Sequence, residues 1–185
     1  MARPQPAEPV KLFVALLWSD ESVLAHAVER MLSQWGEIDF AGPDHPFDIT
    51  RYYETEMGRD IRRRLVSFRE LAASESIREA KLISNDIEDA LALREGRKVN
   101  LDIGYLDHGK VVLASAKSAG QKIHLGSGIY ADMILRYRDG RYLPFEWTFP
   151  DFRDGRYDQE LRAIRHKYLS QLKALRATAK KPGSL

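Results

Sequence analysis

The sequence predicts an α+β domain, an antiparallel sheet packed against helices, and three observations carry that expectation. A continuous apolar run, VKLFVALLWS (10–19), has the length of a strand buried on both faces. Two segments repeat apolar residues at the three-and-four spacing of an amphipathic helix. Beyond Gly96 the chain turns to short alternating runs separated by turn residues, the pattern of hairpins.

The elements follow in order. Residues 1–9, rich in proline and without an apolar h-region, read as a flexible arm and not as a signal peptide. After the first strand, DESVLAHAVERMLSQWG places Val23, Leu24, Ala27, Val28, Met31, Leu32 and Trp35 on one helical face. Asp20 or Ser19 can cap its start, and Gly36 suits a left-handed stop. EIDFAGPDHPFDITRYY (37–53) begins as a short strand that Pro43 and Pro46 break. RRRLVSFREL (62–71) fits either another short strand or the end of a helix running through YETEMGRDI. SESIREAKLISNDIEDALALREG (74–96) is the second helix, with Ser76 and Glu79 as a capping box. Its apolar stripe is Ile77, Ala80, Ile83, Ile87, Ala90 and Leu91.

VNLDIGYL (99–106) reads as a strand with Val99, Leu101, Ile103 and Tyr105 on one face and Asn100, Asp102 and Gly104 on the other. The turn DHGK leads into VVLASAKS (111–118), a strand or the start of a short helix. KIHLGSGIYADMILRYR (122–138) alternates as a strand, with Gly126-Ser127-Gly128 marking a bulge or turn, and Asp139-Gly140 signals a further hairpin. In LPFEWTFPDFRDGRY (143–157), Phe145, Trp147, Phe149 and Phe152 are spaced to lie over the core. A final helix over 158–179 carries Leu161, Ile164, Tyr168, Leu172 and Leu175 in one stripe. The expected organisation is one domain over 10–179 with a disordered tail at 180–185.

The order β-α-β-β-α-β over residues 10–106 matches a ferredoxin-like core, here with a β-hairpin extension and a C-terminal helix. In that arrangement the extension or the last helix covers the second sheet face, or the face stays open as a platform. The competing topology is a less regular α+β sheet to which residues 37–73 contribute no paired strands.

Composition narrows the chemistry. The 185 residues contain no cysteine, which excludes disulfides, thiolate metal sites and cysteine nucleophiles. That absence fits a cytoplasmic protein, and no apolar run approaches the length of a membrane span. The net charge of +2 does not by itself point to nucleic acid. No GxSxG, HExxH, GxGxxG or GxxxxGK[ST] pattern is present.

Polar residues nevertheless gather in places. Asn100 and Asp102 share a strand face about 7 Å apart. If the 122–138 strand pairs beside them, His124 and Asp132 join a cluster fit for acid/base chemistry or for a divalent cation. Otherwise that face is polar surface. The loop PDHPFDITRYYETEMG (43–58) brings Asp48, Tyr52 and several acidic side chains to the scaffold, though Phe47, Tyr52, Tyr53 and Met57 can equally plug the end of the sheet. Arg59, Arg62 and Arg63 share a face if that segment is helical, and can meet an anion or pair with nearby carboxylates. Lys117 offers a phosphate a point charge, or is simply solvated.

Several of these stretches together, VKLFVALLWSDE, PFDITRYYETEMG, RRRLVSF, VNLDIGYL, HLGSGIYADMILRYRDG and EWTFPDFR, resemble domain of unknown function 4416, a prokaryotic family. The resemblance runs from about Val10 to Leu175. It implies a single-domain, stand-alone protein and brings no site residues with it.

The expectation is a protein that binds or processes a phosphorylated or nucleotide-like small anion on the polar face of its sheet. Asp102 would be base or metal ligand, His124 acid/base or ligand, and Asn100 the orienting group. Arg59, Arg62, Arg63, Tyr52 and Asp48 would hold the ligand. The residues name neither a metal nor a cofactor. The alternatives are an RNA-binding module and a homo-oligomeric interaction protein without catalysis, with no membrane partner in any case.

Overall fold

The computed structural model describes residues 3–179 of the chain. The apolar run forms β1 (Val10–Trp18), buried at every position. It is central: β4 (Arg62–Ala72) lies antiparallel on one side and β5 (Val99–Leu106) antiparallel on the other. Alternation sends Leu12, Val14, Leu16 and Trp18 into one core, and Phe13 and Ala15 into a second core across the sheet. A strand with apolar neighbours on both faces is apolar nearly throughout; the one polar residue, Lys11, is buried and paired with Asp39 at 2.6 Å.

The first core lies under α1 (Glu21–Trp35) and α3 (Ile77–Ala90). Asp20 caps α1, its Oδ1 accepting from the amides of Ser22 (2.9 Å) and Val23 (3.0 Å), while Gly36 ends it at φ 79°. The capping box expected at Ser76 does not form. Residues 74–76 make a 3-10 turn, the Ser76 hydroxyl donates to the Ala73 carbonyl, and α3 stops at Ala90 rather than reaching Gly96.

β2 (Ile38–Ala41) and β3 (His45–Pro46) both pair with the outer edge of β4. Residues 37–73 therefore do contribute paired strands, and 62–71 is strand, not helix; only α2 (Glu54–Met57), a single turn, is helical between them. Beyond β5 come β6 (Lys110–Ser115), β7 (Ile123–Gly126), β8 (Ile129–Arg138) and β9 (Arg141–Pro144). Segment 122–138 is thus a hairpin and not one strand, turning through Ser127 (φ 53°) and Gly128 (φ 71°). The Asp139-Gly140 hairpin forms as expected. The result is an open antiparallel sheet ordered β2-β4-β1-β5-β6-β8-β7, with β3 also on β4 and β9 also on β8.

The second face is covered by α4 (Pro150–Arg153) and α5 (Asp158–Ala179). Leu161, Ile164, Tyr168 and Leu172 are buried against the sheet, and Leu175 is 51% exposed. Residues 3–9 carry no regular structure, yet Glu8 pairs with Arg176 of α5. The expected tail at 180–185 lies outside the described residues. Among the described residues no helix is long and apolar enough to cross a membrane.

Gly104 of β5 sits where two strands converge. A Cβ there would run into the Val112 carbonyl oxygen and approach Leu113 Cδ2 at 2.7 Å. Gly104→Ala is expected to destabilise the protein by about 1–3 kcal/mol, as overpacking does. Urea unfolding measures it, and an unchanged midpoint would mean that β6 yields freely.

Candidate functional site

The site begins with a defect in the sheet. β5 pairs with β1 along its whole length, but with β6 only through Gly104↔Leu113, Tyr105↔Val112 and Leu106↔Val111. β6 then follows β8, as far as Ser115↔Tyr130, and among the described residues the first half of β5 has no outer strand neighbour. The freed peptide groups of Leu101 are taken up by α3. Leu101 N–H donates to Glu88 Oε1 (2.8 Å), and its carbonyl accepts from Lys81 Nζ (3.0 Å). A buried backbone group has to find a partner, which explains a lysine and a glutamate buried on a helix face that otherwise carries Ile77, Ala80 and Ile87.

From Glu88 a chain of charged groups crosses the gap. Arg97 pairs with Glu88 and reaches Glu56 with two nitrogens, at 2.6 and 3.0 Å. It also donates to Asn100 Oδ1 (3.3 Å), and Asn100 Nδ2 donates to Asp102 Oδ1 (2.9 Å). Arg63 Nη2 donates to Asp102 Oδ2 (2.9 Å), while Arg63 Nη1 lies 3.0 Å from Asp151 Oδ2. Tyr157 completes the line by donating to the same Asp151 oxygen at 3.1 Å. Register explains the Arg63–Asp102 contact. Arg63 and Asn100 flank Leu17, Leu65 and Asp102 flank Ala15, and the diagonal passes the small Ala15 side chain.

Burial pushes the Glu88 carboxyl upward in pKa, against Lys81, the Leu101 amide and Arg97, which pull it down. For Arg63 burial disfavours the charge, but Asp102 and Asp151 outweigh it and hold its pKa above the ordinary value. Burial pushes the Tyr53 phenol up to about 12, so it stays neutral near pH 7.

The parting of β5 and β6 leaves a cavity of about 220 Å³. Glu88, Arg97, Asn100 and Asp102 line one wall, Leu113 to Lys117 the other, and Lys122 and Asp132 also border it, with Tyr52, Tyr53 and Phe149. A hollow of about 390 Å³ adjoins it, sharing Tyr52, Tyr53, Asp102, Lys117 and Phe149 and adding Phe47, Ile49 and Arg63. Sizes of this order suit a small molecule. In the loop at 43–58, Phe47, Tyr53 and Met57 pack with Leu17 and Ile61 as a plug, while Tyr52, expected among them, stands exposed beside the cavity.

Asn100, Asp102 and Tyr52 thus share one cavity, and Arg63 lines the adjoining hollow. On the polar face of 99–106 Asn100 is 6% exposed, and Asp102, half-buried, has both oxygens engaged. The other expected site residues lie elsewhere. His124 is exposed on β7 against Tyr130 and does not line the cavity; β6 lies between β5 and the 122–138 hairpin, so the pairing that would have brought His124 over is absent. Arg59 and Asp48 border a separate hollow, with Asp48 bound to Arg156. Arg62 cannot share a face with Arg63, because both are on a strand; it stacks 5.7 Å over Trp18 on the opposite face. Among the described residues no three histidine or acidic side chains cluster as a metal set.

Comparison with known proteins places the chain. The family model described as "Domain of unknown function (DUF4416)" matches residues 8–168. The chain belongs to the DUF4416 family. No curated protein and no solved structure matches it.

The residues of this DUF4416 chain that sequence reasoning missed are Lys81, Glu88, Arg97 and Asp151. Lys81 and Glu88 had a signal: they are seven positions apart, two turns on the apolar side of α3. Glu88→Ala would strand the Leu101 amide, Lys81 and Arg97, and is expected to cost about 3–5 kcal/mol in chemical denaturation; Glu88→Gln, which keeps an acceptor, should cost clearly less. Arg63→Met, leaving Asp102 and Asp151 without the cation between them, is expected to cost a similar amount, about 3–5 kcal/mol. Wild-type stability in either alanine or methionine variant would show the ion chain to be incidental.

Proposed function

We propose that this protein binds a small anionic molecule, phosphorylated or nucleotide-like, in the cleft between β5 and β6. One observation carries the proposal: among the described residues, one cation of the cleft is in no ion pair. Lys81 has Glu88 at 3.7 Å, Arg97 has Glu56 and Glu88, and Lys122 has Asp132 at 3.4 Å. Lys117 has no carboxylate within 4.0 Å among the described residues; its Nζ meets the Tyr52 hydroxyl at 3.1 Å and lies 4.7 Å from the Tyr52 ring centroid. An ammonium beside an aromatic wall is suited to an anionic group on a flat ligand.

The fold supports this reading over the RNA-binding one. We read β2-β4-β1-β5 as a ferredoxin-like core, since β1-α1-β2 and β4-α3-β5 interleave in that strand order. An RNA-recognition use of such a sheet needs an open face on which bases stack. Here one core lies under α1 and α3 and the other under α4 and α5. The apolar stripe of α5, which would serve pairing with a second copy, is used within the chain. Asp102 is best assigned to orientation: Asn100 and Arg63 occupy its two oxygens, which leaves it poorly placed to take a proton.

Isothermal titration at low salt with inorganic pyrophosphate and a panel of nucleoside phosphates tests the proposal. Lys117→Ala is expected to weaken binding about fivefold or more, consistent with a charged contact of about 1 kcal/mol. Its thermal midpoint should stay near wild type, because Lys117 is exposed. If none of these anions binds the wild-type protein, the reading falls.

A further inference from the structure

The carboxylates lining the cleft differ in what they have left to offer. Glu88 gives Oε1 to the Leu101 amide and Oε2 to Arg97, and Asp102 gives its oxygens to Asn100 and Arg63. Asp132 does not follow this pattern. Only 1% exposed, it places Oδ2 3.4 Å from Lys122 Nζ, while Oδ1 is buried with no hydrogen-bond partner among the described residues. A buried carboxylate oxygen without a donor is costly, and native structures rarely leave one so. The residue is also rigidly held. Asp132 pairs with Leu113 in the β6–β8 ladder, and Lys122 is fixed from its other side by Ser115 Oγ at 2.9 Å.

We propose that Asp132 and Lys122 read the edge of a nucleobase, and that the ligand is a nucleotide whose base presents an amino group beside a ring-nitrogen acceptor. The inference rests on the anion-binding reading above and specifies the other end of that ligand. Asp132 Oδ1 is an acceptor in need of a donor, and the ammonium of Lys122 next to it, directed to Asp132 Oδ2 and Ser115 Oγ, has one N–H left to donate. Adenine and cytosine carry the matching pair, an exocyclic amine next to an unprotonated ring nitrogen. Hypoxanthine and uracil carry the reverse, a carbonyl beside a ring N–H, which in the same pose sets an oxygen against Asp132. The aromatic side chains Tyr52, Tyr53 and Phe149 line both hollows and offer flat surface to a ring. Lys117, also shared by both, is left for the phosphate.

Titrating wild-type protein with adenosine monophosphate against inosine monophosphate, and cytidine monophosphate against uridine monophosphate, tests this without any variant. Each aminated nucleotide should bind at least about tenfold tighter than its deaminated partner, the discrimination expected of one hydrogen bond to a charged acceptor. Asp132→Asn, whose amide can turn a donor or an acceptor to the base, should bring each pair to within about threefold. Lys117→Ala should weaken both members of a pair alike and leave their ratio unchanged. Equal binding within each pair, or binding of inorganic pyrophosphate with no nucleotide preference, overturns the inference and leaves the anion site standing. Binding of no anion at all overturns both.

Discussion

Where β6 turns away from β5, the peptide group of Leu101 loses its strand partner inside the protein, and much of the surrounding structure follows from how that loss is made good. An aqueous solution for the freed groups is not open, because α3 packs over them. The structure instead sends Glu88 and Lys81 down from α3 to stand in for a strand. Placing a carboxylate there creates the need for Arg97, and Arg97 in turn draws in Glu56 and Asn100. A local break in sheet pairing thereby becomes a charged line from α3 across β5 to Arg63 and Asp151.

Such a line is not cheap to build, since ions taken out of water must recover their hydration from one another. Its members meet this by pairing several times over, as Arg63 does between two carboxylates and two aromatic rings. The benefit falls on geometry more than on stability. Side chains tied at both ends cannot repack to fill the gap, so the cavity between the strands is kept open. Asp132 and Lys117 border it from β8 and from the segment after β6, where the charged line does not reach. They are the groups left with bonding capacity to spare.

Much of the scaffold was legible in the residues. β1 announced itself by a nearly continuous apolar run of strand length and α1 by its 3.6-residue stripe and its Asp20 cap, signals carried by residues close in sequence. Local signals also foretold the turns at Asp139-Gly140 and Gly126–Gly128. Ser76 and Glu79 went wrong for a local reason: the chain enters α3 through a 3-10 turn, so the serine hydroxyl faces back to Ala73. Arg59, Arg62 and Arg63 could be placed on a shared face only by assuming a helix; as strand residues Arg62 and Arg63 alternate, and Arg63 becomes the buried centre of the ion chain.

By itself the sequence determined the α+β class, β1, α1 and α5, the family, and the presence of Asn100 and Asp102 on the polar side of one strand. These are properties of near neighbours along the chain. Only the tertiary structure decided which strand stands beside β5, how far the two run together before they part, and which charged groups meet in the space between. Strand partnership is set by the packing of helices far away in sequence, and a side chain's free lone pair depends on every donor around it. That is why His124 and Asp132, eight residues apart in one alternating segment, ended apart: one on an exposed edge, the other buried against the cleft with an oxygen to spare.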